Sequence, residues 1–169
     1  MAKVYQGGAS IDERGKATGG QAGNQSGKEL RKALWYIHKK GWYILRAKRP
    51  EVRKKIAKAM RAAIANRYIG YDQSQRNTLY KLAALVDFDP ALVTALCETD
   101  CSALIRVLLA YAGIMVADFN TASQVARLLA TGEFELLTSA MYCANKAGDY
   151  LLEGDIAVTR TQGHTVVVL

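Results

Sequence analysis

The sequence is short of cysteine, histidine, proline and long apolar runs, and each shortage closes a class of protein. Three cysteines (Cys97, Cys101 and Cys143) in 169 residues are too few, and odd in number, for a disulfide framework. They read as free thiols of a reducing compartment. Two prolines exclude a proline-rich scaffold. No apolar run reaches the roughly 18 residues that a membrane span needs, so no membrane span is expected. Met1 to Gly8 lacks the apolar core of a signal peptide, so the chain is expected to be made in the cytoplasm without a leader. Only two histidines are present, His38 and His164. Any chemistry that needs an imidazole rests on one of them.

What is present describes one folded domain spanning 1–169. Apolar residues make up 50% and charged residues 22%, the balance of a chain that buries a core. The 23 basic and 15 acidic residues give a net charge of +8, unevenly spread. Residues 28–67 hold 14 of the basic residues against only Glu29 and Glu51. So polarised a field suits a polyanionic partner: nucleic acid, an anionic membrane face or the phosphate-bearing polymers of a bacterial wall.

Along the chain, residues 1–29 include a Gly-, Gln-, Asn- and Ser-rich stretch that reads as loop from residue 7. Its Gly23-Asn24-Gln25-Ser26-Gly27-Lys28-Glu29 run is not a phosphate-binding loop, because Ala22 stands where the first glycine belongs and Glu29 follows the lysine. Residues 30–67 read as a basic helical segment. Leu30, Leu34, Ile37, Trp42 and Leu45 suggest a helix broken near Gly41, and Pro50 opens a second helix carrying Val52, Ile56, Met60 and Ala63 on one side. Residues 68–169 follow as a third part. Thr78–Leu85 and Pro90–Leu96 predict short helices. The apolar spacing of Leu104, Ile105, Leu108, Leu109 and Ala112 predicts a helix from Cys101 ended by Gly113, with Thr99 or Asp100 as its cap. Ala122–Ala130 is another helix and Phe134–Leu137 a short strand. Ile156–Thr159 and His164–Leu169 are expected strands joined by a turn. Helices followed by an antiparallel sheet make the fold class α+β.

Two residues stand out chemically. Cys101 falls where a helix begins, and a helix N-terminus stabilises a thiolate. His164 opens a strand after a tight turn. A cysteine at a helix start with a histidine on the sheet packed against it is a nucleophile–base arrangement. On this reading Cys101 is a partly exposed thiol of lowered pKa within hydrogen-bond reach of His164.

The steps Asp100-Cys101-Ser102, Gly154-Asp155-Ile156 and Gly163-His164-Thr165, together with Ile69-Gly70-Tyr71-Asp72-Gln73 and Arg76, resemble the NlpC-type cell-wall cysteine peptidases. The likeness is nearest to the bacteriophage peptidoglycan amidohydrolases and covers residues 66–169. It implies a papain-like fold and hydrolysis of an amide bond in the stem peptide of peptidoglycan, either the muramoyl–L-alanine amide or one within the peptide, with no metal or organic cofactor. It implies Cys101 as nucleophile and His164 as general base. Tyr71 would stand near the oxyanion with Gln73 beside it, and Asp100 would hold the helix start and face the substrate's amine. Tyr71 lies thirty positions before Cys101, farther than in the family. The polar residue that orients the family's histidine from the following strand has no counterpart before Leu169. Either the domain continues in a longer lysin, or the orienting group comes from elsewhere.

Other readings compete. Cys97, Cys101, Cys143 and His164 are a candidate Cys₃His zinc set, although Cys143 and His164 lack paired neighbours. Trp35, Tyr36, Trp42 and Tyr43 beside Lys39, Lys40 and Arg46 suit base stacking in a nucleic-acid-binding module without catalysis, but at helical spacing such residues are more often core anchors. The expected partners are peptidoglycan and its anionic wall polymers, with no nucleic acid; the oligomeric state is left open.

Overall fold

A computed structural model describes residues 3–142 and 149–169. Along the chain come strands β1 (Tyr5–Ala9), β2 (Leu30–Leu34) and β3 (Trp42–Ala47), helix α1 (Pro50–Ala65), strand β4 (Ile69–Tyr71) and helix α2 (Thr78–Ala83). Strand β5 (Cys97–Thr99), helices α3 (Cys101–Tyr111) and α4 (Gln124–Ala130), and strands β6 (Phe134–Leu137), β7 (Ile156–Thr159) and β8 (Thr165–Val168) complete the order. Single 3₁₀ turns occupy Ala84–Val86, Pro90–Leu92 and Ala140–Tyr142. The architecture is α+β, as the pattern of elements predicts.

Six strands form one antiparallel sheet in the order β2-β1-β8-β7-β3-β6, and β4 and β5 form a separate parallel pair. The sheet buries apolar side chains on both faces. Leu45, Ala47, Ile156, Val158 and Val167 join the main core under α1 and α3, whereas Trp42, Ile44, Ala157, Val166 and Val168 form a second cluster on the far face. The two faces are called inner and outer below.

The helix expected from Leu30 to Leu45 is instead β2 and β3. A short run such as Trp42-Tyr43-Ile44-Leu45, apolar on both faces, carries no period that separates a buried strand from a buried helix. Its place between β6 and β7 decides the matter. Leu34, which supports the helical spacing, is 54% exposed. Tyr5–Ala9 and Cys97–Thr99 also become strands, and the helix expected through Leu96 is only the turn Pro90–Leu92.

Helix α1 follows its sequence closely. Pro50 occupies its first turn, where the missing N–H costs nothing, and Val52, Ile56, Ala59, Met60 and Ala63 are buried at helical spacing. Each large side chain among them stabilises the fold by about 1.5–3 kcal/mol. The opposite side presents Lys54, Lys55 and Lys58 to solvent.

The N-terminal loop lies along the β4–β5 pair. Gly23 N–H donates to Cys97 O at 3.1 Å and Asn24 N–H to Arg67 O at 2.8 Å. The crossing needs Gly70, since a Cβ there would stand 2.2 Å from the Gly23 carbonyl oxygen. The Gly-Asn-Gln-Ser-Gly-Lys-Glu run closes on itself. The buried Glu29 carboxylate accepts the backbone N–H groups of Gln25, Ser26 and Lys28 and the Ser26 hydroxyl. Burial opposes the charge, but these bonds outweigh it and hold the Glu29 carboxyl below its usual range. The donors that a phosphate would need are already engaged.

Candidate active site

Asp100 starts α3. Its Oδ1 accepts the Ala103 N–H at 2.7 Å, capping the helix, and the Ser102 hydroxyl at 3.1 Å. Its Oδ2 accepts Arg76 Nε at 2.6 Å. Arg76 extends further, with Nη2 donating to Ser102 Oγ at 2.9 Å and Phe119 O at 2.6 Å, and Nη1 to Asp118 Oδ1 at 2.8 Å. This network ties the first turn of α3 to the segment ahead of α4. The Asp100 carboxylate is thereby engaged at the helix start and by Arg76.

Cys101 is the first residue of α3 and only 7% exposed. The partly exposed thiol of lowered pKa expected from the sequence is not what the fold presents. Burial, reinforced by the Asp100 carboxylate, pushes the thiol up to about 12, against the backbone N–H groups of Thr165 and Ser102 and the Arg76 charge. The helix N-terminus contributes as expected, but withdrawal from water outweighs it. Cys97 is likewise buried and pushed up to about 12.

Tyr71 ends β4, is buried, and interacts electrostatically with Cys101 and Asp100. Its hydroxyl accepts Gln73 Nε2 at 3.0 Å, which leaves the phenolic proton free to donate elsewhere. Burial raises the phenol to about 12 despite that bond, so it stays a donor at neutral pH. The parallel pairing of Tyr71 with Thr99 carries the tyrosine to the start of α3 in spite of the long sequence separation.

His164 lies just before β8, at the end of the turn that follows β7. Its backbone is held on both sides by residues absent from the sequence-based set. Thr121 Oγ1 accepts the Gly163 N–H at 3.0 Å, and Gln124 Nε2 donates to Thr165 Oγ1 at 2.8 Å. Gln124 is fully buried, and its Oε1 has no hydrogen-bond partner among the described residues. Strand alternation sends Thr165 and Val167 to the inner face and His164, Val166 and Val168 to the outer. The His164 ring accordingly stands among outer-face groups: Ser10 Oγ is 3.5 Å from Nε2, and the His38 and Trp42 rings are 6.5 and 6.4 Å away by centroid. Burial, with the nearby His38 and Arg31, lowers the imidazole to about 4. It is neutral at physiological pH.

No hydrogen bond among the described residues joins Cys101 to His164. The amide after His164 is one of the backbone groups whose field favours the Cys101 thiolate. Cys101, Tyr71, Gln73 and Asp100 gather on one side of β8, and the His164 ring stands on the other.

Trp35, Tyr36, His38 and Trp42 pack with one another on the outer face, with ring centroids 5.3–6.1 Å apart in the contacts that join them. Trp42 is fully buried, an anchor rather than a stacking platform. Of the candidate zinc set, Cys143 lies outside the described residues. Among those described, no group of three or more His, Cys, Asp or Glu side chains could hold a metal. No helix among them is long and apolar enough to cross a membrane.

A family model for an endolysin-like domain matches residues 7–169. No curated protein and no solved structure matches the chain.

Proposed function

The chain belongs to the endolysin-like domain family, which indicates a phage cell-wall hydrolase acting on peptidoglycan, and from that premise we propose that it cleaves an amide bond of the stem peptide with Cys101 as nucleophile and His164 as general base. One observation carries the reading. Cys101 begins α3, and the amide of Thr165, the residue directly after His164, is among the backbone groups whose field favours its thiolate. Cys101 and His164 thus come near one another in the fold, although 63 positions separate them in the chain.

In the resting protein both groups are neutral. A neutral imidazole is the form that takes a proton, and a thiol at about 12 gives one up only to a base placed against it. The His164 ring, held among the described residues by the long 3.5 Å contact with Ser10, has to turn from the outer face toward the sulfur as substrate enters. It takes the Cys101 proton while the sulfur attacks the amide carbonyl. The Ser102 and Thr165 N–H groups, which already act electrostatically on the sulfur, receive the oxyanion with the Tyr71 hydroxyl. Imidazolium then protonates the leaving amine, and water releases the acyl enzyme. Gln124 and Thr121 act as positioning residues by fixing the backbone on either side of His164. The exposed lysines of α1 draw the domain to the anionic polymers of the wall.

Mass spectrometry of peptidoglycan digested with the purified protein tests the reading. New carboxyl and amino termini at an amide bond, absent with Cys101→Ala, are expected. Reducing-sugar ends with no new amine, or products unchanged in Cys101→Ala, would overturn it.

A further inference from the structure

A cavity of about 130 Å³ opens on the outer face beside His164, lined by Gln6, Gly8, Ser10, Arg31, Tyr36 and His164 among others. Its walls follow from the register. Gly8 pairs with Arg31 and Gln6 with Ala33, and directly opposed residues of an antiparallel pair share a face. Gly7 points the other way, toward Met60 and Ile64. A Cβ at Gly8 would stand 2.9 Å from Val166 Cγ1, so glycine there keeps the floor of the cavity clear.

Two groups on this wall lack partners. Gln6 is 5% exposed, and its Oε1 accepts no hydrogen bond from the described residues. A buried amide oxygen left in that state costs about 1–3 kcal/mol. Arg31 is exposed, and no ion pair among the described residues engages it. The cavity is therefore walled by one buried amide that lacks an N–H partner and one guanidinium that suits a carboxylate fork. Ser10 and the neutral imidazole stand between them as groups able to donate or accept. The volume is several times the roughly 30 Å³ share of one water and matches a single small amino-acid residue.

We propose that this cavity binds the free carboxylate end of a peptide, with the carboxylate on Arg31 and the adjacent amide N–H on Gln6. In a hydrolase of wall peptide this sets a stem-peptide end beside His164. That placement rests on the catalytic reading above, whereas the chemistry of the cavity does not. An occupied cavity also crowds the outer-face position of the imidazole, which favours its turn toward Cys101.

The test is an NMR titration of the full chain with N-acetyl-alanyl-alanine, with either hand at the terminal residue, and with the corresponding C-terminal methylamide. The free acid should shift the Gly8 and Val166 amide signals and bind at least tenfold more tightly than the methylamide. Arg31→Gln, at an exposed position, should keep the folded spectrum and weaken the acid at least tenfold. Gln6→Leu should weaken both ligands alike, because it removes the acceptor of the N–H they share. Equal affinity for acid and methylamide, no shift at these signals, or unchanged affinity in Arg31→Gln would overturn the proposal. Whether Cys101 is the nucleophile is read separately from digestion products, so either idea can fail alone.

Discussion

On β3, Leu45 and Ala47 face the helices while Trp42 and Ile44 face away, and β8 repeats the division with Val167 against Val166 and Val168. The inner face is covered by α1 and α3 and is apolar until its end, where Cys101, Tyr71 and Gln73 collect. Among the described residues the outer face is covered by the Trp35–Lys40 loop and by residues such as Leu151 and Tyr142. It keeps polar groups (Gln6, Ser10, Arg31 and His164) around a cavity. The comparison shows how an apolar layer and a polar pocket come from the same strands, and why a one-residue step along β8 puts the His164 ring on the face opposite Cys101. It also separates two uses of burial. On the inner face burial holds a thiol protonated; on the outer it holds an imidazole unprotonated.

The largest expected effect joins the faces. Cys101→Ala and His164→Ala should each lower peptidoglycan hydrolysis on the order of 10³-fold or more, as loss of a nucleophile or its base does, with unfolding midpoints close to the parent. Release of soluble muropeptides measures this. If His164→Ala keeps activity while Cys101→Ala loses it, the ring does not cross between the faces and another base serves Cys101.

Next is the clamp that holds β8. Gln124→Ala removes the bond to Thr165 Oγ1 and should lower kcat about 10- to 100-fold with little change in KM, because a displaced base slows chemistry more than binding. The stability cost should be about 1–2 kcal/mol. Gln124→Met, of similar length but unable to donate to Thr165, should be as slow as Gln124→Ala, whereas a purely space-filling role would predict that it restores kcat.

Packing itself can be compared across the sheet. Leu45→Ala on the inner face should cost about 2–5 kcal/mol in urea unfolding, whereas Ile44→Val on the outer face should cost about 0.5–1.5 kcal/mol. Similar losses from Leu45→Ala and Ile44→Ala would mean that the outer cluster is as tightly filled as the inner one.

The pH dependence of stability isolates His164. Its folded value of about 4 lies below the ordinary 6.5. Between these values the unfolded chain binds a proton that the folded chain does not, so stability falls as pH drops from 6.5 toward 4 and the term is constant outside that window. The loss is on the order of 3 kcal/mol at most. His164→Gln should flatten the slope between pH 6.5 and 4 relative to the parent.

The smallest effect belongs to the basic side of α1. Lys54→Glu with Lys55→Glu should weaken binding to whole walls a few-fold at low ionic strength and less at 0.15 M, where exposed charges are screened within about 8 Å. Cleavage of a small soluble muropeptide should not change. Arg53 and Arg61 are poorer probes, since Arg53 donates to Ala47 O and Arg61 pairs with Glu153.

Local signals in the sequence were enough for α1, α3, β6, β7 and the capped start at Asp100-Cys101, because proline at a first turn, a capping carboxylate and an unbroken apolar period act over a few residues. The α+β class followed from their order. They were not enough for β1, β2, β3 and β5, whose identity depends on partners far along the chain: Tyr5 opposite Leu34, Trp42 opposite Thr159, Cys97 beside Ile69. The likeness that singled out Cys101, His164, Tyr71 and Gln73 was likewise carried by short runs of residues. Tertiary structure alone decided that Thr121 and Gln124 hold His164, that Asp100 is spent on Arg76 and the helix cap, and that Cys101 is a buried, protonated thiol. Protonation depends on the water and charge removed around a group, and the direction of a side chain depends on the parity of the strand that carries it. Both are set by contacts between segments that the linear sequence keeps apart.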